Sequence, residues 1–221
     1  RTYEKEVDSF IDYLIENAII GIDDIYSISE EEPLEYDNLY EYDPLGMSNA
    51  FGWNYDSGYA ANVFERKDIA SDEYLTSVGI YIPVTEGIEV YINAENNDLT
   101  TLTKVATYTG NNALTPGYHT INITPTKLTG ANFIVAVKYI NQDGVVIPFE
   151  CNNKESFGAL YSDFWDTATS NANESYRSFD GQTWDDLDNL QVTMIDYLKE
   201  TNACIKAFTT EQEPVVDTTV A

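Results

Sequence analysis

The sequence predicts a mostly β chain: an antiparallel β-sandwich preceded by an N-terminal helical segment. Three observations predict it. Short runs rich in branched and aromatic residues recur, as in "EYLTSVGIYIP" (73–83) and "GIEVYINAEN" (87–96). Polar turn signals separate them, among them "TEG", "ENND", "GNNALTPG", "PTKLTG" and "NQDG". Strands begin roughly every 8–16 residues with no helical pattern between them, which argues against a parallel α/β sheet.

Residues 1–35 read differently from the rest. Val7, Phe10, Ile11, Leu14, Ile15 and Ala18 recur at helical spacing, with acids between them. The helix is expected to stop near Gly21, and "SEEEPLEYDN" (29–38) is a charged connector interrupted by proline. From Tyr36 to Thr209 the pattern is β. In "YAANVF" (59–64) the alternation assigns Phe51, Tyr59 and Phe64 to the core, while Trp53 and Tyr55, in a glycine-rich bend, reach toward solvent. "TTLTKVATYTG" (100–110) is half-buried, with Val105 and Tyr108 inward; "GYHTINI" (117–123) follows. "NFIVAVKYI" (132–140) is almost continuously apolar, as a central strand covered on both faces would be. "VVIPFE" (145–150) and "NACIKAFTT" (202–210) add strands. Residues 152–175 are a long loop-like insertion, and 210–221 a linker or tail.

The charge balance removes whole classes of function. Thirty-eight Asp and Glu face 11 Lys and Arg, a net charge of −27. Such a surface repels phosphate backbones and anionic lipid, so no nucleic acid is expected as a partner. No run approaches the roughly 20 apolar residues that span a bilayer, so no membrane insertion is expected. Residue 1 is Arg and no signal peptide is visible, so the chain reads as a piece of something longer.

Enzyme chemistry fails on inventory. His119 is the single histidine and sits in a strand, which excludes the usual zinc sites. Cys151 and Cys204 lie in strand-like apolar contexts, not beside a base at a helix start. Two buried thiols and one disulfide are both open, the latter only if their strands are neighbours. Nucleophile-elbow, phosphate-loop and dinucleotide motifs are absent. Chance carboxylate pairs are inevitable with this many acids and carry no weight for glycoside hydrolysis.

Two constellations remain. In "SFDGQTWDDLDN" (178–189) Asp180, Asp185 and Asp188 crowd a turn that could offer oxygens to Ca²⁺, though without the EF-hand pattern. Trp53, Trp165 and Trp184 lie in turn-like contexts with Tyr55 nearby, and flat rings flanked by Asn and Asp suit stacking against sugars.

"YDNLYEYDPLG" followed by "GYAANVFERKD" resembles the opening of the lectin-like domain that follows the papain-family cysteine-peptidase domain in clostridial and related surface proteins. "LTSVGIYIP", "PGYHTINI", "NFIVAVKY", "ESYRSFDGQTWDDL" and "NACIKAF" resemble later landmarks of that family, in order. The resemblance covers about residues 36–209. It implies a lectin-like, jelly-roll sandwich acting as a non-catalytic accessory module at the cell surface or outside the cell. It further implies a glycan or cell-wall polymer as ligand and Ca²⁺ in some members. The alternative is a spacer or docking domain for an adjacent peptidase domain. Cys204 falls in the closing-strand segment, where the family often has a cysteine of structural role.

Overall fold

The computed structural model describes residues 36–151, 168–188 and 200–214. The helix expected within 1–35, Trp165 with most of its loop, and the end of the tail lie outside the described residues.

Among the described residues thirteen strands form three antiparallel sheets. The first has the order β1 (Asn38–Tyr40), β13 (Ile205–Thr210), β4 (Tyr74–Ile82) and β7 (Gly117–Lys127). The second runs β11 (Asp185–Asp186), β10 (Ser175–Ser178), β3 (Ser57–Glu65), β8 (Asn132–Ile140), β5 (Gly87–Asn93) and β6 (Thr103–Thr109). The third is β12 (Asn202–Ala203), β9 (Val145–Glu150) and β2 (Asn49–Trp53).

Alternation along the strands explains how the sheets meet. Phe133, Val135, Val137 and Tyr139 of β8 join one core with Ile80 of β4, Ile121 of β7, Ile205 of β13 and Ile147 of β9. The intervening Ile134 and Ala136 point to the opposite face, where Ala61 and Val63 join them in a second, smaller cluster. Strand β8 pairs with β3 on one side and β5 on the other. Residues of both its faces, Phe133, Val135 and Val137 on one and Ile134 and Ala136 on the other, are fully buried, as the apolar run predicts of a central strand.

Three expectations are corrected by strand geometry. Tyr59 and Phe64 are five residues apart, an odd separation, so they occupy opposite faces of β3; Phe64 enters the main core and Tyr59 the outer face. Trp53 ends strand β2, opposite Val145, and packs half-buried on the main core instead of reaching out from a bend. The turn expected at "PTKLTG" starts late, because β7 continues through Pro125 to Lys127. That proline is tolerated because β7 is an edge strand and its register against β4 is irregular there.

Irregularity also reconciles Val105 with Tyr108. Three residues apart, they would face opposite ways on a regular strand. The register of β6 against β5 shifts between Val90 and Tyr91, and Val105, Ala106 and Tyr108 all pack on the core.

Buried polar groups tie the layers together. Asn62 Nδ2 donates to the Ala203 and Ile205 carbonyls at 3.1 and 2.8 Å, and its Oδ1 accepts from Ser175 Oγ at 2.6 Å. Glu73 accepts from Tyr40 Oη (2.8 Å), Thr209 Oγ1 (2.5 Å) and Arg66 Nε (3.1 Å). Burial, followed by the bond to Glu73 among weaker influences, pushes the Tyr40 phenol up to about 12. Cys151 and Cys204 are both buried, and burial raises both thiols.

Candidate functional site

At one end of the sandwich the turn after β2 meets the β10–β11 hairpin. The structure brings Trp53 and Tyr55 onto one ring, Phe179. Tyr55 stacks on Phe179 at 4.4 Å between centroids and 20° between planes; Trp53 meets it edge-on at 5.5 Å. Trp53 is held from below by Phe149 at 6.2 Å and Phe51 at 6.3 Å. Tyr55 is the outermost ring, 53% exposed. The Arg177 guanidinium lies 5.2 Å from the Trp53 centroid and 5.3 Å from that of Phe179, a cation against two π faces. Its Nε donates to Asp185 at 3.3 Å.

Local chemistry fixes the hairpin. Ser178 Oγ accepts from the Gly181 amide at 2.8 Å, and Asp180 Oδ1 accepts from the Gln182 and Thr183 amides at 2.8 and 2.7 Å. These bonds hold the Asp180 carboxyl well below the usual carboxylate range. Gly181 has φ +71°, and a Cβ there would stand 3.1 Å from the Tyr59 ring. The turn therefore aims Phe179 one way and Trp184 the other.

Trp184 consequently leaves the group expected from sequence. It packs on the outer face of the six-stranded sheet, meeting Tyr59 edge-on at 6.0 Å, and its buried indole N–H finds no acceptor. Tyr91 and Lys138 complete that face: Tyr91 lies 6.1 Å from Tyr59, and Lys138 Nζ stands 5.6 Å over Tyr59. Glu89 accepts from Tyr91 Oη at 2.6 Å and Lys104 Nζ at 2.8 Å. Burial opposes its ionisation, but these bonds and the two lysines outweigh burial and keep its carboxyl below the ordinary value.

The three candidate calcium ligands are not gathered. Asp180 is engaged by its own turn, Asp185 pairs with Arg177, and Asp188 Oδ1 accepts from Ser170 Oγ at 3.2 Å. Among the described residues no group of three or more His, Cys, Asp and Glu stands in position for a metal ion. Ca²⁺ takes six to eight convergent oxygens, and in this structure these three carboxylates are each engaged with other partners. His119 lies on β7 with Nε2 2.7 Å from the Thr115 carbonyl. Sequence reasoning assigns Tyr59 to the core and gives no site role to Phe179, Arg177 or Tyr91; the one available signal is the alternation that sets Arg177 and Phe179 on one side of β10 and its extension.

Fold and site together define a mostly β module of antiparallel sheets with a cluster of aromatic rings at one end. Residues 39–209 match the lectin-like domain family, and the chain belongs to that family. Among solved structures, the clostridial cysteine protease Cwp84 after propeptide cleavage is similar at 20% identity and a TM-score of 0.61. The match covers 81% of this chain and 41% of that one. A structure of the cysteine protease and lectin-like domains of Cwp84, described as a surface layer associated protein of Clostridium difficile, matches at 19% identity and a TM-score of 0.62. It covers 81% of this chain and 37% of that one. The chain thus spans about two fifths of the solved chains it matches, in which the lectin-like domain accompanies a protease domain. No curated protein matches the sequence. Among the described residues no helix is long and apolar enough to cross a membrane.

Proposed function

We propose that this domain is a non-catalytic binding module of a secreted or cell-surface protein and that it recognises a glycan or cell-wall polymer. The observation that carries the reading is Tyr55, an exposed ring stacked on Phe179 and backed by Trp53. A ring held flat by a second ring loses little conformational freedom when a sugar face covers it, and the neighbouring Arg177–Asp185 pair supplies donors and acceptors for hydroxyls. Trp165, which lies outside the described residues, is proposed as a further ligand contact. A glycan array probed with the isolated chain, with and without Ca²⁺, tests the reading. Binding that disappears in Tyr55→Ala supports it, and an array with no signal overturns it.

A second reading is favoured by one observation: the similar Cwp84 chains carry a cysteine protease domain beside the lectin-like one. In that reading the module is a spacer or docking domain for an adjacent peptidase of the same protein. Leu45, Met47 and Tyr118, all exposed, are the surface it would use. Loss of peptidase stability on replacing Leu45 and Met47 by Ser in the full-length protein, with glycan binding unaffected, supports docking.

A further inference from the structure

The β1–β2 connection carries a group that the binding reading does not use. Asp43 is 0% exposed, and neither of its carboxylate oxygens receives a hydrogen bond. The turn that follows is closed by the Gly46 amide donating to the Asp43 carbonyl at 2.9 Å. Lys206, from β13, lies against it: Nζ is 3.4 Å from Asp43 Oδ2, an ion-pair distance, and donates to the Asp43 carbonyl at 2.9 Å. Glu41 also accepts from Nζ. Glu150, fully buried, is the third acid, its oxygens taken by the Leu45 amide at 2.7 Å and Asn202 Nδ2 at 3.1 Å.

We propose that Lys206 and Asp43 condense into an intramolecular isopeptide bond. A lysine whose side chain is only 13% exposed, a buried acid whose carboxylate oxygens accept no hydrogen bond and a second carboxylate in contact with the amine are the three parts such a condensation needs. Proton transfer from the ammonium to the carboxylate converts the ion pair into amine and neutral acid, a form that a water-poor interior penalises far less than two charges. Burial favours the acid and, despite Lys206, pushes Asp43 up to about 7. For Lys206 burial is outweighed by the Asp43 and Glu41 carboxylates, which hold the ammonium above its ordinary value, so the proton transfer is an uphill first step. The amine nitrogen attacks Asp43 Cγ; Glu41 takes the proton it sheds and returns it to the departing hydroxyl. One C–N bond forms, one C–O bond breaks and one water leaves, with no oxidant or reductant. Holding the reactants in contact replaces an encounter by an effective concentration that reaches about 10⁵ M or more in well-oriented systems. The product ties the last strand to the connection after the first and removes both charges from the interior.

Intact mass of the denatured, reduced wild-type chain is the test. The expected mass is lower than that of the sequence by one water, and a protease digest yields one branched peptide containing both Asp43 and Lys206. Asp43→Ala and Lys206→Arg each restore the full mass and abolish the branched peptide. A wild-type chain of full mass overturns the proposal and leaves a buried ion pair. So does a missing water without the branched peptide, since cyclisation at an Asp-Gly step such as Asp180-Gly181 would explain it.

Discussion

Tyr55 and Asp180 show what single side chains contribute at the ring-lined end. Tyr55 is largely in water, so its removal alters little of the fold; Tyr55→Ala is expected to change stability by no more than about 0.5 kcal/mol. Glycan binding should weaken by about tenfold or more, the loss of a central aromatic contact. Titration calorimetry alongside a melting curve separates the two effects. Asp180 serves the turn beneath. Its folded carboxyl titrates below its unfolded value of 3.8, so its contribution is present above that value and fades as pH falls through it. Asp180→Ala should therefore lower Tm at pH 7 and differ less from wild type as pH drops below about 4. A Tm difference that stays constant with pH would contradict this.

At the scale of strands and turns, cross-links matter more than surface. Asn62 joins β3 to the carbonyls of β12 and of β13, so Asn62→Ala leaves buried acceptors bare and should cost about 2–3 kcal/mol in chemical denaturation. Gly46→Ala combines φ +73° with a Cβ 2.5 Å from Tyr81 Oη, and is expected to lose about 1–2 kcal/mol. Elements of this size were legible in sequence where composition is extreme. The apolar run of β8 announced a strand covered on both faces, and the runs at 73–83, 87–96 and 145–150 became β4, β5 and β9. The register shifts at Leu75/Ser77, Val90/Tyr91 and Phe208/Thr209 are not legible in sequence, because residues that take up the extra position, such as Thr76 and Val105, are ordinary strand formers without a glycine signal. The same limit governed the site. Trp53 and Tyr55 announced themselves as rings among glycines, but Phe179 joined them and Trp184 left them through one left-handed residue, Gly181.

Across the whole molecule charge dominates. With a net charge of −27 and few lysines or arginines to offset it, the folded chain repels itself, and the repulsion is screened by salt. Raising NaCl from about 10 mM to about 500 mM shortens the Debye length from roughly 30 Å to a few Å, and Tm is expected to rise accordingly. EDTA at constant ionic strength is expected to leave Tm unchanged, since Asp180, Asp185 and Asp188 are spent on other partners. A fall on chelation would show that an ion is held after all.

The place of β13 has a consequence for how the protein is made. This strand, close to the carboxyl end, slots between β1 and β4, whose segments precede it by well over a hundred residues. While the chain is being synthesised, both of those neighbours wait with an empty edge, and the four-stranded sheet closes only after β13 has emerged. Until β13 arrives, the edges of β1 and β4 offer unpaired backbone to any other strand, so the unfinished sheet is exposed to mispairing.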